Sequence, residues 1–135
     1  MMTKMLMMLL LLVSTNALAV DWVKADEGTF AGFRFTGYID QKSIQRDGNK
    51  ARLSTLHDLQ SGKVLSNNKT YLSTVARSEY DCFENTVRAM DVNFYSGKMG
   101  TGDIVLSAPN RTVKTVSVPQ GSIFATELKV ACATK

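Results

Sequence analysis

The chain has little of what supports catalysis or metal binding. Its 135 residues hold only two cysteines and one histidine. There is no C-x-x-C spacing, and the lone His57 cannot complete a tetrahedral set with two thiols. No dense Lys/Arg run with interleaved aromatics is present, so the formal charge of +4 is weak support for a nucleic-acid partner. The apolar run Met5 to Val13 falls far below the roughly 20 residues needed to span a bilayer, and nothing after Val20 is long and apolar enough to do so. Internal repeats, low-complexity stretches and an internal domain boundary are also lacking.

What is present begins with a leader. Lys4 supplies a positive start, Met5 to Val13 an apolar run, and Ala17-Leu18-Ala19 a small-x-small cleavage signal. Residues 1–19 are therefore expected to be a secretory signal peptide cut after Ala19, and residues 20–135 a single domain. With 44% hydrophobic residues the chain has enough apolar material for one core. No cysteine stands at the cleavage site, so no lipid anchor is expected. Two cysteines in an exported domain, Cys82 and Cys132, are expected to form one disulfide. Closing a loop of about 50 residues contributes about 4 kcal/mol in the chain-entropy account.

Along the chain the signals are mostly those of strands. Asp21 to Ala25 reads as a short strand, Asp26-Glu27-Gly28 as a turn, and Phe33 to Ile39 as a second strand with Gly37 a candidate bulge. Asp40 can cap a single helical turn through Ser43. Asp47-Gly48-Asn49 is a strong turn signal ahead of a strand from Ala51 to Leu59. Period-two alternation marks Thr70 to Tyr95, with Met90, Val92 and Phe94 on one face. A glycine-rich connection, Gly97 to Gly102, leads to Ile104-Val105-Leu106, and Val113 to Val118 is a further short strand. Ser122 then looks like a helix N-cap. Behind it Phe124, Leu128, Ala131 and Cys132 form an apolar stripe, with Ile123 and Glu127 beside it. The disulfide would staple this helix to the strand carrying Cys82.

Candidate chemistry is thin. Ser54, His57 and Asp58 form the only nearby Ser/His/Asp set, but on a strand Ser54 and His57 face opposite sides. Gly97, Gly100 and Gly102 with Lys98 lack the Gly-Lys-Ser/Thr entry into a helix that a phosphate loop requires. Asn68-Lys69-Thr70 and Asn110-Arg111-Thr112 are glycosylation sequons by pattern. Asp81, Glu84 and Asp91 have no second cluster at metal-ligand spacing. Neither an enzyme nor a cofactor nor a metal site is expected.

The order of short motifs is more informative. Tyr38-Ile39-Asp40 is followed by Ser43-Ile44, Gly48-Asn49, Arg52 and Leu56-x-Asp58. Tyr71-Leu72-Ser73, Glu79-Tyr80-Asp81-Cys82, Tyr95-Ser96-Gly97, Met99-Gly100-x-Gly102, Val118-Pro119-x-Gly121-Ser122-Ile123 and Cys132 come after. This series resembles the surface-adhesin protein E family of exported Gram-negative proteins. The resemblance implies an α+β fold: a mainly antiparallel β-sheet of about six strands, with a C-terminal α-helix packed on one face and tied by a disulfide matching Cys82 and Cys132. It implies a non-catalytic protein, in the periplasm, at the cell surface or secreted, that recognises a macromolecule such as a host extracellular matrix or plasma protein. Lys63, Lys69 and Arg77 correspond to the basic residues near the family's binding region, although they also suit an ordinary solvated face. A homodimer stays open. The rival reading is a periplasmic inhibitor or accessory protein, for example of a cell-wall lytic enzyme.

Overall fold

The computed structural model describes residues 20–109 and 114–133. The expected leader, the Asn110 sequon and the start of the strand expected from Val113 lie outside these residues. Among the described residues no helix is long and apolar enough to cross a membrane.

The chain forms β1 (Val23–Phe30), β2 (Phe33–Asp47), β3 (Lys50–Val64), β4 (Thr70–Asp81), β5 (Thr86–Tyr95), β6 (Ile104–Ala108), the two-residue β7 (Val116–Ser117) and α1 (Ile123–Ala133). All pairings are antiparallel, and strands β1 to β6 lie in chain order across one sheet, with β7 pairing the far end of β5. The expected α+β architecture is therefore present. Gly48 (φ 56°) and Asn49 make the hairpin between β2 and β3, with Asp47 opposite Lys50, where the turn signal placed it.

Helix α1 packs on one face of the sheet. Ser122 caps it, its Oγ accepting from Ala125 N at 3.3 Å. At the other end Arg46 Nη1 donates to the Cys132 carbonyl at 2.7 Å, placing a cation on the negative helix terminus. The disulfide joins Cys82, just past β4, to Cys132 in the last turn, with Cα atoms 5.7 Å apart. Ile39, Leu53, Tyr80 and Ala131 form the buried core beneath the helix.

Local expectations fail in several places. Asp26-Glu27-Gly28 is not a turn but part of β1, paired with Gly37, Thr36 and Phe35. Asp26 faces the helix, its Oδ2 accepting from Thr126 Oγ1 at 2.8 Å, and Gly28 lies under Ile123. Asp40 to Ser43 is not a helical turn but an extra length of β2 opposite an uninterrupted β3. There Ser43 Oγ donates to Asp40 O and accepts from Ser54 N. Gly37 is not a bulge; it pairs in register with both Asp26 and His57. Finally, the most buried line of α1 is Ile123, Glu127 and Ala131, so the helix is turned from the expected Phe124–Leu128 stripe.

The opposite face is covered in its middle by the glycine-rich connection, which makes one 3-10 turn at Lys98–Gly100. Ser73 Oγ donates to Gly97 O and accepts from Gly100 N, and Asp58 Oδ1 accepts from Met99 N. Leu56 is thereby fully buried between strand and loop. The glycines serve this close approach, at positive φ for Gly100 and Gly102.

Candidate functional site

The site begins with a missing side chain. A Cβ on Gly37 would stand 2.8 Å from Ile123 Cγ2 and 3.1 Å from Glu127 Oε1. Glycine there lets the helix settle close enough for Glu127 to reach the sheet. Glu127 is 1% exposed, and its carboxylate is held from two strands. Tyr80 of β4 donates its hydroxyl to Oε2 at 2.6 Å, and His57 Nε2 of β3 lies 2.7 Å from Oε1. Burial, then the Glu127 charge and hydrogen bond, push the Tyr80 phenol far above its ordinary range. His57 also lies against Phe35 and Phe124, ring centroids 4.7 and 5.7 Å away.

His57 and Glu127 of this trio line one side of a groove of about 680 Å³ between α1, β7 and part of β4 and β5. Thr74, Ala76, Ser78 and Ala89 form a floor of small side chains, and Val92, Phe94, Val116 and Pro119 form apolar walls. Phe30 and Phe124 meet edge to face at 4.9 Å along its margin. Beyond them a second cleft of about 190 Å³ continues towards Phe33, Tyr71 and Lys63.

Of the basic residues expected to bind ligand, two share a region. Lys63 stands near the end of β3, its Nζ 3.7 Å from the centroid of Phe33, a cation–π contact. Lys69 is exposed in the β3–β4 turn, next to the pair Val64–Thr70. Arg77 is elsewhere: it follows Tyr71, the partner of Lys63, by six residues along β4, about 20 Å at strand rise. Its Nη2 donates to Gln45 Oε1 at 2.9 Å. The hairpin end that holds Lys63 and Lys69 also exposes Phe30 (42%) and Val64 (61%).

Ser54, His57 and Asp58 are drawn apart. Ser54 N bonds Ser43, His57 turns to Glu127, and Asp58 pairs with Lys98 on the opposite face, Nζ to Oδ2 at 3.4 Å. Among the described residues no group of three His, Cys, Asp or Glu side chains could hold a metal. Sequence reasoning set Glu127 beside the helix stripe and gave His57 no partner. The signal that could have found the trio is an acid spaced i+4 from Ile123 and i−4 from Ala131, on a helix that must lie over a glycine in a strand.

Residues 22–133 match the family model described as Surface-adhesin protein E. No curated protein sequence matches the chain. Two solved structures of Haemophilus influenzae protein E superpose with TM-scores of 0.56 and 0.53 at 18% and 19% identity, covering 84% and 83% of this chain and 96% and 92% of theirs. Protein E from non-typeable Haemophilus influenzae gives 0.52 at 20% identity, covering 84% of each chain. At such identities the structural likeness speaks for the fold, and the family model for kinship.

Proposed function

Because the chain belongs to the surface-adhesin protein E family, a family of non-catalytic binding proteins, we propose that residues 20–135 act, after cleavage behind Ala19, as one exported adhesin-like domain that holds a host matrix or plasma protein. The observation that carries this reading is the hairpin end of the sheet, where exposed Phe30 and Val64 stand with Lys63 and Lys69. Apolar side chains rimmed by cations are a common composition for a protein-binding surface. Arg77 joins the contact only for a ligand long enough to run along β4, as a matrix protein is.

Association should then be partly electrostatic. It weakens as the screening length falls from about 10 Å at 0.1 M salt to about 3 Å at 1 M. The test is binding of the exported protein to immobilised matrix and plasma proteins, beside an activity assay of a lysozyme-type enzyme. Lys63→Glu with Lys69→Glu should slow association more than it speeds dissociation. Absence of matrix binding together with potent inhibition of the lytic enzyme would replace this reading with that of a periplasmic inhibitor.

A further inference from the structure

The large groove under α1 meets the hairpin end only at Phe30, and its chemistry points to a different occupant. Its volume of about 680 Å³ lies within the range of about 300–1,000 Å³ typical of small-ligand sites. The floor is kept open by Ala76, Ser78 and Ala89, where larger strand residues would fill the space from within. Little on this floor can receive a hydrogen bond. The pairings Thr55–Ala76 and Ala76–Val92 place the floor's backbone in the ladders of the sheet. Both oxygens of Glu127 are engaged by Tyr80 and His57. Apart from the short hydroxyl side chains of Thr55, Thr74, Ser78 and Ser117, the His57–Glu127 pair and Lys114, the surroundings are hydrocarbon and aromatic. A peptide laid here would bury backbone N–H and C=O groups without partners, at a cost of about 1–3 kcal/mol each. A methylene chain carries no such groups and gains about 0.8 kcal/mol per buried CH₂.

The mouth adds a sign. Lys114 is the one Lys or Arg among the described residues lining the groove, and it is exposed. Among the described residues the only carboxylate in the lining is the sequestered Glu127. We propose that this groove binds a free single-chain fatty-acid-type anion, its hydrocarbon tail along β4 and β5 and its carboxylate at Lys114. The site does not rest on the adhesin reading: it shares Phe30 at its margin but uses neither Lys63 nor Lys69.

The experiment is a fluorescence titration of the disulfide-intact protein with cis-parinaric acid and its methyl ester. The acid should bind saturably at one site, and the ester about tenfold more weakly. Lys114→Glu should weaken the acid by a similar factor and leave the ester unchanged. Ala76→Phe, which fills the floor, should abolish binding of both. Should that variant fail to fold, Val116→Asp puts a charge on an exposed wall residue and should do the same in a folded chain. Phosphatidylglycerol vesicles should leave the protein in the supernatant on sedimentation. The proposal is overturned by absence of saturable binding to the parent protein, by undiminished binding in a folded groove variant, or by acid and ester binding alike with Lys114→Glu silent. Co-sedimentation with vesicles but no titration by the free acid would also overturn it.

Discussion

Replacing Tyr80 by Phe removes one oxygen from the centre of the molecule and little else. The ring keeps its shape and Tyr80 is fully buried, so no cavity larger than a hydroxyl forms. What is lost is the 2.6 Å hydrogen bond to Glu127 Oε2, leaving a 1% exposed carboxylate with His57 as its remaining side-chain donor. Hydrogen bonds to charged groups contribute about 1.5–3 kcal/mol. With an m-value of about 1–3 kcal/mol/M in urea, a loss of about 2 kcal/mol lowers the unfolding midpoint by about 1 M. Glu127→Gln keeps the size but weakens both contacts, and the double variant should show a coupling energy of about 0.5–3 kcal/mol. Alkaline pH supplies an independent check. Tyr80 keeps its proton in the folded protein well above its ordinary 10.0, whereas the unfolded chain loses it there. The unfolded state then binds fewer protons, so stability falls as pH rises above 10, by up to about 1.4 kcal/mol per unit from this group. Tyr71, raised by its own burial, adds a similar trend and persists in the variant. Tyr80→Phe should therefore flatten the alkaline decline without abolishing it. A midpoint within experimental error of the parent, an additive cycle and an unchanged alkaline slope would together refute the buried trio.

Other perturbations test other parts of the fold. Gly37→Ala sets a methyl 2.8 Å from Ile123 Cγ2 and should cost about 1–3 kcal/mol by thermal or urea melts, the helix being forced outward. Cys82→Ala or Cys132→Ala should cost about 2–5 kcal/mol, and mass analysis without reductant should find no free thiol in the parent protein. For Glu79, burial raises the carboxyl, but the Arg52 hydrogen bond and the charges of Arg88, Arg52 and Lys50 hold it below its ordinary 4.5. The stability this contributes is present above 4.5 and lost as pH falls further, so Glu79→Gln should shrink the acid decline of the melting temperature.

Much of the scaffold is legible in local chemistry. Asp47-Gly48-Asn49 makes its hairpin, Ser122 caps its helix, and the two cysteines of an exported chain have only each other to pair with. Legibility ends where a residue answers to a distant partner. Asp26 and Gly28 carry turn chemistry, yet Thr126 and Ile123, far along the chain, recruit them into a strand. Hydrophobic periodicity passes over Glu127 because it ranks an acid as solvent-facing, a rule that fails when Tyr80 and His57 meet both its oxygens. The bulge at Arg77–Ser78 opposite Asp91–Ala89 leaves Met90 without a partner in the ladder, which alternation along β5 cannot reveal. Whether three basic residues form one patch is likewise a matter of hairpin length, and here it sets Arg77 apart.

The disulfide also sets how the molecule carries a load. A pull on the C-terminal end enters at Cys132 and crosses to Cys82, anchored at the β4–β5 turn by its N–H on Asn49 O. The intervening chain, helix included, is bypassed by a covalent bond and bears no tension. A pull on the N-terminal end meets an edge strand laddered to β2 alone, and parts Val23 from Ile39 first, then each later pair in turn up to Phe30 and Phe33. The molecule is thus a clamp at one end and a zipper at the other. Because β1 ends at Phe30, which meets Phe124 along the groove, the zipper's last tooth stands on the groove's margin. Tension from that end would open the cavity before it unfolds the sheet.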